Sequence, residues 1–160
     1  MIDFHNHILP GADDGAKTIE ESIEMLRLAQ KQGVTDIVNT IHFQHPKMEG
    51  MNTDYDYILS IKEKLIEEMS IQKIDINIHL GAEVFFNFNL LDICDNKITT
   101  FGDGAFMLIE FQTHQFPDGY DEHLYELASS GVTPIIAHPE RYKPIQRDIA
   151  ILEKLILSGC

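Results

Sequence analysis

Ala105-Phe106-Met107-Leu108-Ile109-Glu110-Phe111 is the stretch on which the fold turns. Its apolar run is too short for a buried helix and lacks the alternation of a strand with one wet face. It reads as a strand covered on both sides, the pattern of a parallel sheet flanked by helices. The run ends on a carboxylate, Glu110. A charge in that position needs a cation or tight pairing to offset its desolvation.

Working outward, the same arrangement recurs. Val132 to His138 predicts a fifth strand, in which Pro134-Ile135-Ile136-Ala137 delivers His138 at the end. Ile74, Ile76, Ile78 and Leu80 alternate with polar residues, so a third strand runs to about Glu83. Val34 to Thr40 is the second strand, followed by His42, and Met1 to His5 is the first, with His5 at its end and His7 just past it. Between them lie helical segments. Thr18 and Glu21 form a capping-box signal ahead of Ile19, Ile23, Leu26 and Ala29, and Gly33 ends that helix. Asn52 to Gln72 carries the stripe Ile58, Ile61, Leu65 and Met69. Residues 84 to 97 predict a short helix and turn. Tyr120 to Ser130 is helical and stops at Gly131; Asp148 to Ser158 is the last helix, closed by Gly159.

Strand-helix alternation of this kind defines an α/β protein with about five parallel strands and flanking helices, either a barrel or an open sheet. In both, ligands bind at the carboxyl ends of the strands. Every predicted strand supplies a metal-capable side chain there: His5 and His7, then His42, Glu83, Glu110 and His138, with Asp13 and Asp14 on the loop after the first strand. Alternate strand residues share a face, so His5 and His7 can grip one cation. Each residue taken alone also has a structural reading, as a satisfied histidine or a helix-capping acid. The recurrence at five strand ends is what favours a site. His79 and His123 fall outside the pattern and read as structural or solvated; His45 and His114 sit on rim loops.

Imidazole mixed with carboxylate suits Mn, Fe or Zn better than Mg or Ca. There are more donors than one ion uses, so two or three divalent metal ions are expected. Such clusters prepare water for in-line attack on phosphorus. Arg141, three residues past His138, is placed to hold phosphate through its donor fork, or else to make a surface salt bridge.

The composition narrows the alternatives. At 160 residues, 44% hydrophobic and 24% charged, the chain is expected to form a single globular domain, residues 1–160. Its net charge of −14 argues against nucleic acid and anionic membrane as partners. No apolar run approaches the roughly 20 residues of a membrane helix, so no membrane insertion is expected. The start, Met1-Ile2-Asp3-Phe4-His5, lacks a secretory pattern and reads as cytoplasmic. Cys94 and Cys160 offer neither a disulfide framework nor zinc spacing. Six residues after Cys94 stands Thr100 rather than arginine, which excludes a cysteine-nucleophile phosphate loop.

Two longer segments are more specific. His5-Asn6-His7-Ile8-Leu9-Pro10-Gly11-Ala12-Asp13-Asp14-Gly15-Ala16 and Ala137-His138-Pro139-Glu140-Arg141-Tyr142 resemble signatures of bacterial manganese-dependent tyrosine phosphatases of the polymerase and histidinol phosphatase (PHP) superfamily, the type associated with capsular and exopolysaccharide synthesis. The resemblance implies a distorted (β/α)7 barrel with a three-metal site. It assigns one metal to His5, His7 and Glu83, a second to Glu83, Glu110 and His138, and a third to Asp14 and His42, with Arg141 on the substrate phosphate. The implied substrate is a phosphotyrosine protein, a bacterial tyrosine autokinase that regulates polysaccharide export.

The chain departs from that pattern twice. Thr40-Ile41-His42 stands where the family usually has Thr-Pro-His. Family members also continue past Cys160 into further strands and a late Asp-x-His motif. The expectation is therefore an incomplete barrel lacking the C-terminal strands and the last metal-ligand motif, with two of the three metals weakened and a homo-oligomer covering the missing-strand face. Two other functions fit the residues: a PHP-type phosphatase for a small phosphate monoester, or a catalytically impaired remnant acting as a binding protein.

Overall fold

The computed structural model describes residues 1–160. The chain is an α/β protein that packs as two compact units, Met1–Ala82 and Glu83–Cys160.

The first unit contains β1 (Ile2–Asn6), α1 (Ile19–Lys31), β2 (Asp36–Phe43), α2 (Tyr55–Gln72) and the beginning of β3 (Asn77–Phe85). The strands neighbour one another in the order β1-β2-β3, and β1 runs parallel to β2. Helix α1 starts where its capping signal predicts, with the Thr18 side chain accepting the Glu21 N–H. The return bond of the box is displaced by one residue: Glu21 Oε2 accepts from Lys17 N–H, at 2.6 Å, instead of from the cap itself. Gly33 (φ +82°) then turns the chain, and the Val34 N–H reaches back to Ala29 O at 3.0 Å. Helix α2 begins later than its pattern predicts, because the Asp54 side chain accepts from Tyr57 N–H and fixes the start there. Ile23, Leu26, Ile37, Ile41, Ile58 and Leu65 form the buried interior of this unit.

The second unit takes β3 onward: α3 (Leu90–Ile93), β4 (Phe106–Glu110), α4 (Tyr120–Ser129), β5 (Thr133–Ile136), a 3-10 turn over Pro139–Arg141, α5 (Lys143–Arg147) and α6 (Ala150–Leu157). Its strands follow the order β3-β4-β5, all parallel. Met107, Leu108 and Ile109 are at most 1% exposed, so the deciding stretch is indeed covered on both faces. Phe106 is the exception. It opens β4 and stacks on Phe101, with ring centroids 5.9 Å apart, across an isolated antiparallel bridge. The short α5 has no counterpart in the apolar pattern. Its Pro144 sits in the first turn, where the missing N–H costs nothing. No helix is long and apolar enough to cross a membrane.

Candidate metal centre

In the first unit the site is built where β1 leaves the sheet. The β1–β2 register runs Asp3↔Ile37 and then Asn6↔Asn39, so β1 carries one extra residue between these points. That bulge re-aims the strand end. Buried Asn39 takes up the slack: its Oδ1 accepts the N–H groups of Ile8 (2.7 Å) and Leu9 (2.9 Å), pinning the chain just beyond His7. The rings of His5 and His7 lie 5.5 Å apart, and those of His7 and His42 4.8 Å apart.

Asp13 and Asp14 divide the work on the loop. The Asp14 carboxylate approaches His42 Nε2 at 3.2 Å, and His7, Asp14 and His42 each offer a donor atom within 4.8 Å of the others. The Asp13 side chain is buried against His7. Its Oδ2 lies 2.6 Å from His7 Nδ1 and also accepts the His42 backbone N–H at 3.4 Å, while Oδ1 accepts the Gly15 N–H at 2.9 Å. Burial alone would raise its pKa, but the hydrogen bond and charge of His7, the Gly15 N–H and the nearby His42 together hold it below the ordinary carboxylate value. A carboxylate bonded to Nδ1 fixes the imidazole tautomer and leaves Nε2 as the donor for a cation. Gly15 makes this turn possible, since a Cβ there would sit 2.1 Å from His7 O.

In the second unit three donors converge. Register places Glu83 beside Leu108 and Phe85 beside Glu110, so Glu83 and Glu110 share one face of the sheet, two residues apart in depth. His138 lies two residues past β5, in a left-handed conformation (φ 30°, ψ 59°) that turns its ring toward the carboxylates. Its Nε2 stands 2.8 Å from Glu83 Oε1 and 3.6 Å from Glu110 Oε1. Each of the two carboxylates offers an oxygen within 4.8 Å of the other's. The three side chains are 2%, 16% and 10% exposed for Glu83, Glu110 and His138. Two acids so close together and so poorly hydrated repel unless a positive charge lies between them. Imidazole plus carboxylates around one point is the donor chemistry of a divalent transition metal, so these residues fit such an ion.

Arg141 lies on the surface, its side chain 67% exposed and its Nε 3.8 Å from Glu140 Oε1. His79 is half exposed and pairs with Asp36 at 3.3 Å, well outside either cluster. His123 bonds the Gly119 carbonyl through Nδ1 and packs on Phe88. His45 continues the imidazole row, its ring 5.0 Å from that of His42. Asn39 and Tyr142 are the supporting residues that pattern alone does not assign, and Asp13, a metal-capable loop residue by sequence, is the partner of His7 Nδ1. The signal for Asn39 was available, as an amide inside the apolar run Ile37 to Ile41; for Tyr142 there was only its place in the His138 segment.

Parallel strands that end in clustered histidine and carboxylate side chains define an α/β protein of the kind whose strand ends can hold divalent cations. Residues 1–160 match the family described as capsular polysaccharide synthesis, CpsB/CapC, and the chain belongs to it. It is 37% identical over 160 residues to a putative tyrosine-protein phosphatase CapC of Staphylococcus aureus, covering 99% of this chain and 62% of that one. It is 34% identical over 166 residues to the tyrosine-protein phosphatase CpsB of Streptococcus pneumoniae, covering 100% and 65%. Among solved structures it resembles a chain from the crystal structures of Bacillus subtilis YwqE and S. pneumoniae CpsB, described as metal-dependent tyrosine phosphatases. The TM-score is 0.91 at 30% identity, covering 100% of this chain and 64% of that one. The chain thus spans less than two thirds of the length of these relatives.

Proposed function

We propose that residues 1–160 act as one PHP-type phosphatase domain that hydrolyses phosphotyrosine with the help of two or three divalent metal ions, Mn being the ion of choice. The reading rests on the convergence of Glu83, Glu110 and His138, with His138 Nε2 2.8 Å from Glu83 Oε1. In the second unit these three residues would hold a cation; in the first, His5, His7, Asp14 and His42 would do so. When bound, the cations supply Lewis-acid stabilisation of phosphoryl charge and raise the acidity of the attacking water.

The chain's own groups do the rest. Asp13 keeps His7 in the tautomer that presents Nε2. Arg141, exposed where a protein substrate can reach it, clamps the non-bridging phosphate oxygens through its planar fork. Tyrosinate is a competent leaving group because its conjugate acid has a pKa of about 10, so strong general-acid assistance is unnecessary. Membership in a capsular polysaccharide family supports a tyrosine autokinase of that pathway as the phosphotyrosine partner, encountered in the cytoplasm.

The test is a comparison of Mn-dependent turnover on a phosphotyrosine peptide and on histidinol phosphate. Preference for the peptide, abolished by His138→Ala, supports the reading. Preference for the small ester reassigns the substrate, and absence of both bound metal and turnover points to a binding role.

A further inference from the structure

Tyr142 is fully buried, yet it is polar and lies beside the donors of the second unit. Its hydroxyl accepts the Phe111 N–H at 3.0 Å. Phe111 directly follows Glu110, whose carbonyl is held by the Phe86 N–H at 2.7 Å. The Tyr142 ring lies 5.5 Å from the His138 ring. The chain between these two residues is a tight turn, with Arg141 N–H on His138 O at 2.9 Å and Tyr142 N–H on Pro139 O at 3.3 Å. Beyond it, Lys143 N–H bonds Thr113 O at 2.8 Å. One side chain therefore ties the strand end that carries Glu110 to the turn that carries His138.

The turn has reason to drift without such a tie. His138 occupies a left-handed conformation that a residue with a Cβ adopts only when its surroundings hold it there. Simple packing does not account for the hydroxyl, because phenylalanine would fill the same space against Phe111 and Phe116, whose rings lie 6.0 and 5.4 Å away.

We propose that Tyr142 is a positioning residue of the metal centre: by accepting the Phe111 N–H, its hydroxyl holds Glu110 at the spacing from His138 that a cation requires. The inference rests on the metal reading given above. Phenylalanine at this position leaves a buried N–H without its acceptor, so the strand end shifts to find another partner and carries Glu110 with it.

The experiment is Mn2+ titration by calorimetry on the 160-residue chain, run for the wild type, Tyr142→Phe and Phe116→Leu, with the metal-free melting temperature of each. Tyr142→Phe is expected to weaken Mn2+ binding on the order of tenfold, as loss of a ligand-orienting group does. Phe116→Leu perturbs the same aromatic packing but leaves the hydroxyl bond. It should lower the metal-free melting temperature while keeping affinity within about twofold, well short of the loss from an outer-shell defect. Equal affinity of Tyr142→Phe and wild type overturns the proposal, as does an equal loss in Phe116→Leu, which would assign the effect to packing.

If Tyr142→Phe fails to fold, wild-type amide exchange decides. Addition of diamagnetic Zn2+ should slow exchange at the Phe111 N–H, followed by NMR, and no change there refutes the role. A wild type that binds no metal at all overturns the metal reading and this inference together, whereas normal wild-type binding with an indifferent Tyr142→Phe overturns the inference alone.

Discussion

Glu110→Gln is expected to stabilise the metal-free protein while removing its response to Mn2+. Glu83 and Glu110 offer oxygens within 4.8 Å of each other, and neither side chain is more than 16% exposed. Two unit charges at that separation repel by about 3.5 kcal/mol at an effective dielectric of 20. Water reaching Glu110 and the adjacent His138 dipole reduce the relief on neutralisation to about 1–3 kcal/mol. Glutamine keeps the shape and an oxygen for the His138 ring.

In EDTA near pH 8, where an ordinary imidazole is mostly neutral, the variant should therefore melt roughly 3–9 °C above wild type. With Mn2+ at a thousandfold excess over its dissociation constant, wild type gains about 4.1 kcal/mol and the variant little, so the order of stability inverts. Urea unfolding with and without metal measures both halves. A Glu110→Gln protein that is less stable than wild type in EDTA would refute the reasoning, since it would make Glu110 a structural partner of His138 and not a ligand in waiting.

Asp13→Asn should cost about 2 kcal/mol at neutral pH, because a buried charge-assisted bond to His7 is lost. The folded-state pKa of Asp13 is depressed, so its stabilisation is present above the ordinary value of 3.8 and is lost as pH falls through the lowered one. The wild-type advantage should therefore shrink in acid; urea midpoints that keep a constant gap across the acid range count against it. Gly15→Ala forces a Cβ to within 2.5 Å of His7 Cβ and should destabilise by about 2–3 kcal/mol, with a parallel loss of Mn2+ affinity measured by calorimetry. Thr18→Ala removes the acceptor for Glu21 N–H and should cost about 1 kcal/mol in denaturant unfolding without touching metal affinity.

Much of the fold is visible in local chemistry. The Phe106–Ile109 run, the cap at Thr18 and the reversal at Gly33 each carry their instruction within a few residues, and each element forms where that instruction lies. Boundaries moved where a side chain competed for the backbone, as Asp54 does at the start of α2. The short α5 leaves no trace in the pattern because it is too brief to show a period.

The candidate donor residues stand out in the same way, because a histidine or carboxylate at the end of an apolar strand conflicts with its surroundings, and that conflict is local. His5, His7, Asp14, His42, Glu83, Glu110 and His138 could be picked out by type and place along the chain. Their spacing could not. The one-residue bulge in β1, the left-handed turn at His138, the Asn39 clamp and the Tyr142 bond to Phe111 depend on groups about 30 residues apart in the chain. No local pattern encodes a distance of 2.8 Å between Glu83 and His138, which are 55 positions apart. The sequence by itself determined which side chains could serve and on which strands they ride. Only tertiary packing decided their register and separation, because those follow from how neighbouring strands align and which buried amides and hydroxyls bridge them.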